Sequence, residues 1–192
     1  MAESRTGRLV RALDGAAVRQ EWGTITENAV RLDPEDAARM VEALNADHAG
    51  AFNLFYVLRK HYWIAEGAEH EDVADVLKEQ YERARELNDD LAERIATLGG
   101  VPASTPPNLQ EYAPVHLEAE HHFDLRASLE GDLEGYATLV ASMREHVGLA
   151  KELGDEATVE LLQDRLEVLE EDANDIEEFL EDDTLVTGGM TR

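Results

Sequence analysis

Four of the chain's five prolines fall between Val101 and Pro114, and on both sides of that stretch the apolar residues keep helical spacing. Proline removes a backbone donor and clashes with the preceding turn, so no long helix runs through 101–114, and the chain is divided there. Before it, Asp33-Pro34-Glu35-Asp36 reads as a helix start: a capping side chain, a proline at the first helical position, and acids at the positive dipole end. Val41, Leu44, His48, Ala51, Phe55, Leu58 and Tyr62 follow at steps of three and four to Trp63, and Glu66-Gly67 ends the stripe. A second helix opens near Glu69 and runs to Gly99-Gly100, with Val73, Leu77, Ala84, Leu87, Leu91 and Ile95 inward. After the prolines, Leu125, Leu129, Leu133, Tyr136, Val140, Met143 and Val147 mark a third helix that stops near Gly154. Val159, Leu162, Leu166, Leu169, Ala173, Ile176 and Leu180 mark a fourth.

No run alternates with period two, so the expected class is all-α. A length of 192 residues suits one packed domain. Tight joints link the first helix to the second and the third to the fourth, whereas the middle connection is long, with one helical turn expected around Leu109-Gln110-Glu111-Tyr112. That is the ferritin-like four-helix bundle with one long crossover between helices two and three, rather than the simple up-down-up-down bundle. Residues 1–31 read as an N-terminal arm, either frayed or docked as a short helix, 32–186 as the bundle domain, and 187–192 as a tail.

Cysteine is absent, so any metal would be held by carboxylate, imidazole or water, which favours hard or borderline ions such as iron. The formal net charge is −26, and only Lys60, Lys78 and Lys151 are lysines. An acidic surface that prefers Arg to Lys fits a salt-loving host. At this charge generic attraction to phosphate is absent, so direct DNA binding is not expected, although Arg5, Arg8, Arg11 and Arg19 make the arm locally basic. No apolar run is long enough to span a bilayer, and Met1-Ala2-Glu3-Ser4-Arg5 is charged where a signal peptide is apolar, so a cytoplasmic location is expected.

Leu44-Asn45-Ala46-Asp47, Arg59-Lys60-His61-Tyr62-Trp63, Glu66-Gly67-Ala68-Glu69, Asp90-Leu91-Ala92-Glu93-Arg94 and Leu98-Gly99-Gly100-Val101-Pro102 resemble the signature of the Dps family in order and spacing. Asp124-Leu125-Arg126, Arg144-Glu145-His146, Leu153-Gly154-Asp155, Leu169-Glu170-Glu171-Asp172-Ala173 and Glu181-Asp182-Asp183-Thr184-Leu185-Val186 are similar to the Dps proteins of halophilic archaea. The resemblance covers about residues 32–186. It implies two-fold dimers assembled into a dodecamer, a cage that takes up ferrous iron, oxidises it between two-fold-related subunits, stores it, and so shields DNA during oxidative stress.

The resemblance also implies a ligand set, and this chain carries part of it. The family has a histidine directly before the tryptophan, and here that position is Tyr62, with His61 one residue earlier. The family's next histidine and aspartate fall on Ala74 and Lys78. Its final aspartate and glutamate remain as Asp89 and Glu93. Two carboxylates do not hold an octahedral iron pair unaided. The resemblance therefore implies an iron-sequestering mini-ferritin with a degenerate inter-subunit ferroxidase site, in which Lys78 of one subunit meets Asp89 and Glu93 of the other. Within one chain Lys78 and Asp89 are ~16 Å apart along the helix.

Two other readings remain: a non-redox cage or dimer with a structural or interaction role, and an active ferroxidase with displaced ligands, for which His61 and His70 are the candidates. Asp89 and Glu93 also read as an ordinary solvated pair. His48, on the apolar stripe, reads as a hydrogen-bonded core histidine. His121 and His122, placed beside Glu118 and Glu120 at the start of the third helix, offer metal donors, but adjacent helix residues diverge by about 100° and seldom chelate one ion. Glu156, Glu160 and Asp164 recur every four residues, as a solvated face or as the lining of an acidic pore. A ferritin-type site inside the bundle is not expected, because the fourth helix reads Glu171-Asp172-Ala173-Asn174 where a Glu-x-x-His pair is wanted.

Overall fold

The computed structural model describes residues 10–67 and 70–181. Arg5 and Arg8 of the basic arm, Glu69 beside His70, and the tail beyond Glu181 lie outside the described residues. Five helices form: α1 Pro34–Ile64, α2 His70–Thr97, α3 Pro106–Tyr112, α4 Leu125–Leu153 and α5 Glu156–Glu181. The four long ones make the expected bundle, and no strand occurs among the described residues.

Local chemistry sets the helix ends. The Asp33 carboxylate accepts from the Glu35 N–H at 2.9 Å with Pro34 at the first helical position, and Asp124 accepts from the Ala127 N–H at 3.1 Å. After α2 the chain closes a Schellman turn: Gly99 N–H reaches the Ala96 carbonyl at 3.0 Å and Gly100 N–H that of Ile95 at 2.9 Å. Gly99 has φ +85°, and a Cβ there would overlap the Thr26 carbonyl oxygen. Gly154, in the left-handed region at φ +70°, ends α4.

The crossover runs alongside α1. Asn45 accepts from the Ala103 N–H at 2.8 Å, His48 Nε2 lies 2.8 Å from the Ala103 carbonyl, Asn53 donates to the Val115 carbonyl at 2.7 Å, and His61 meets Glu118 at 2.9 Å. Rising numbers on both segments mean that the two run in the same direction. On α4, Asp132 pairs with His61 and Ser142 with Asp47, so α4 is antiparallel to α1. The core between them is built from Leu44, Leu54 and Leu58 of α1, Leu77 and Ile95 of α2, Leu129 and Met143 of α4, and Leu162 and Ile176 of α5.

Two placements differ from the sequence reading. The arm docks without a helix: among residues 10–33 there are only turns, and Thr26 N–H and Gln20 Nε2 bond the Gly99 carbonyl at 2.9 and 2.8 Å. His121 and His122 lie in the loop before α4, because the Asp124 cap starts that helix at Leu125.

Candidate functional site

The positions singled out by the resemblance lie on one outer face of α1 and α2. Tyr62 is half-buried, with its ring 5.5 Å from that of Tyr81, and it packs on the core. Ala74 is half-buried, and Lys78, Asp89 and Glu93 are exposed along α2. A single subunit therefore presents the lysine and the two acids without bringing them together. His70, the first residue of α2, is exposed with Nδ1 3.1 Å from the Gly67 carbonyl oxygen. Glu156, Glu160 and Asp164 are exposed along the start of α5.

His61 points the other way, into the bundle. Its Nδ1 lies 2.7 Å from Asp132 Oδ2, its Nε2 lies 2.9 Å from Glu118 Oε2, and both ring nitrogens are engaged. The 100° step from Tyr62 produces this: as one residue faces α2, its neighbour turns toward α4 and the crossover. Glu118 is also held by Lys60 Nζ and by Ser128 Oγ at 3.1 Å. Burial works against the imidazolium, but the Asp132 and Glu118 carboxylates outweigh it and hold His61 above the ordinary histidine pKa. For Glu118 burial is outweighed by Lys60, His61 and Ser128, so its pKa lies below the usual carboxylate value. For Asp132 burial prevails over the pull of His61, and its pKa is raised. The direction that governs the pair is that of His61, the one cation between two acids.

Two further buried polar groups tie the helices together. Asp47 accepts from Ser142 Oγ at 2.6 Å and meets His146 Nδ1 at 2.7 Å. Asp172, in the stretch where a bundle-internal metal site would need histidine, receives Arg83 at 2.5 Å and lies 3.4 Å from the Tyr136 hydroxyl; that hydroxyl also donates to Gln80 Oε1 at 3.2 Å. A guanidinium thus balances the carboxylate that faces the bundle interior. His48 is a core histidine held between the Asn88 and Ala103 carbonyls, and burial lowers its pKa. Among the described residues no cluster of three or more His, Asp or Glu side chains is arranged to hold a metal ion.

Sequence reasoning missed Glu118, Asp132, Asp172 and Arg83 as members of buried networks. A signal for two of them was present: Asp132 and Asp172 fall three residues after Leu129 and Leu169, where an apolar stripe should continue.

Comparison with known proteins gives one consistent result. The ferritin-like domain family matches residues 41–186. The DNA protection during starvation protein of Halobacterium salinarum is 47% identical over 162 residues, covering 84% of this chain and 89% of the relative. A crystal structure of an archaeal Dps homologue from Halobacterium salinarum superposes with a TM-score of 0.85 at 44% identity, covering 92% of this chain and 99% of that one. DpsC from Streptomyces coelicolor superposes with a TM-score of 0.85 at 27% identity, covering 89% of this chain and all of that one.

Proposed function

This chain belongs to the Dps branch of the ferritin-like family, and from that membership we propose that it is a mini-ferritin subunit that sequesters iron while its inter-subunit oxidation site is degenerate. The observation that carries the reading is what fills the ligand positions. Tyr62 is packed against Tyr81, Ala74 has no donor, and Lys78 is a cation. The reading with displaced ligands loses support from His61, since both of its nitrogens are already bonded within the subunit.

In this proposal two-fold dimers assemble into a cage of twelve, and ferrous iron is the cargo. The remaining carboxylates at the two-fold interface are balanced by Lys78 instead of by iron. Protection then comes from withdrawing iron from peroxide rather than from coating DNA, because the chain carries a net charge of −26.

The test is ferrous iron oxidation by the purified assembly, followed by ultraviolet absorbance and paired with metal analysis of the desalted protein. The unmodified protein should oxidise iron at the rate of buffer alone. Tyr62→His, Ala74→His and Lys78→Asp together should raise the rate roughly tenfold, the lower end of what shell residues contribute to metal sites. An unmodified protein that oxidises iron faster than buffer, and as fast as the rebuilt one, would return the displaced-ligand reading, and an assembly that retains no iron would return the non-redox cage. Fluorescence anisotropy with duplex DNA at physiological salt should show no sub-micromolar binding.

A further inference from the structure

A cavity of about 390 Å³ lies between the second half of α1, the crossover and the first half of α4, within the size range of small-molecule sites. Two glycines one turn apart on α4, Gly131 and Gly135, line it. A Cβ at Gly131 would meet nothing within 4 Å, and one at Gly135 would make only ordinary contact with Val115 and Leu54 at 3.4 and 3.5 Å. Alanine fits at both places and is the better helix former, so α4 is weakened where the space stands open.

Asp132, between those glycines, lines the same cavity and is fully buried. His61 satisfies Oδ2, whereas Oδ1 has no hydrogen-bond partner. A buried carboxylate oxygen without a donor is costly, and it marks a place where a donor is missing. The acids that line the cavity outnumber its cation. Glu118, Asp132 and Glu134 line it together with His61 and His116, and Lys60 is engaged by Glu118 and the Ala119 carbonyl. Val57, Val115, Leu117 and Phe123 make the remaining wall apolar.

We propose that this cavity binds a small primary alkylammonium ion, its head group on Asp132 and its alkyl body along Val57, Val115 and Phe123. A bare metal ion is disfavoured by the apolar wall and an anion by the three acids. The site belongs to a single bundle, so it stands independently of iron handling and of the cage.

The assembled protein is titrated calorimetrically at fixed ionic strength with hexylammonium chloride, and in parallel with 1-hexanol and sodium hexanoate. The ammonium should bind saturably and about tenfold or more tighter than the alcohol, the scale of one charged hydrogen bond, and hexanoate should not bind. Gly131→Leu, which fills open space and leaves Asp132 and His61 in place, should abolish binding. Asp132→Asn should reduce the ammonium to the affinity of the alcohol; if that variant does not fold, Gly131→Leu decides alone. Equal binding of alcohol and ammonium, unchanged binding in Gly131→Leu, or no saturable binding of the ammonium would each overturn the proposal.

Discussion

His61 stands between Asp132 and Glu118, 2.7 Å from the one and 2.9 Å from the other, so a single imidazole ties α1 to α4 and to the crossover. Both His61 and Asp132 are almost wholly shielded from water. Removing the histidine leaves a buried carboxylate without its partner, which costs far more than the pair contributes when intact. His61→Ala should lower the unfolding free energy by about 3–5 kcal/mol in a denaturant titration. Hydrogen exchange should rise selectively in residues 115–123, since Glu118 then loses one of its anchors.

The same group sets a pH dependence. His61 has a folded pKa above the ordinary histidine value, so its contribution is fully present below the unfolded value and is lost as pH rises through the folded one. Glu118 has the opposite sign: its pKa is lowered, so its contribution is present above the unfolded carboxylate value and is lost as pH falls through the folded value. Thermal stability should therefore peak on the acid side of neutrality. On the alkaline limb, His61→Gln should flatten the decline relative to the unmodified chain. An equal decline in both proteins would assign it to other groups, with His146 first, because Asp47 raises its pKa in the same direction.

The helices and their ends were legible because each is written locally. Proline, glycine and aspartate at 33–34, 99–100 and 154 act through their own backbone, and three-four spacing needs no partner to be seen. The docking of the arm was not legible, since the Thr26 bond to Gly99 joins segments far apart in sequence and neither residue advertises the other. The candidate site divides in the same way. Tyr62, Ala74 and Lys78 were visible as replacements once the resemblance was in hand, whereas the direction in which His61 points depends on which helices flank α1. Asp132 and Asp172 lie on stripes as charged residues, and only the fold supplies the His61 and Arg83 that make their burial tolerable.

Asp155 caps α5 and joins it to α2. Its carboxylate accepts from the Thr158 N–H at 3.2 Å and hydroxyl at 2.5 Å, and receives Arg94 at 2.5 Å. Asp155→Ala should cost about 1 kcal/mol for the lost cap and more for the stranded Arg94. Asp155→Asn keeps a capping oxygen and removes the charge, so the difference between the two variants isolates the cap. If the two are equally destabilised in thermal melts, the charge pair rather than the cap holds this joint.

Lys78 makes no ion pair among the described residues, on an exposed face that also carries Asp89, about 16 Å away along α2, and Glu93 one turn further. In the proposed two-fold dimer, two such helices packed antiparallel would bring the lysine of each subunit opposite the acids of the other. Drying that interface makes an unpaired carboxylate expensive, and an ammonium is the least demanding remedy once the histidines are gone. Lys78→Ala should therefore raise the dissociation constant of the dimer by roughly tenfold or more, the scale of truncating one side of a desolvated ion pair. Lys78→Asp should weaken the dimer further, and Lys78→Asp combined with Asp89→Lys should recover part of the loss by restoring opposite signs. Analytical ultracentrifugation of a dilution series at fixed salt reads all three. An unchanged dissociation constant in Lys78→Ala would mean that the lysine faces solvent in the assembly, and the acids opposite it would again be open to iron.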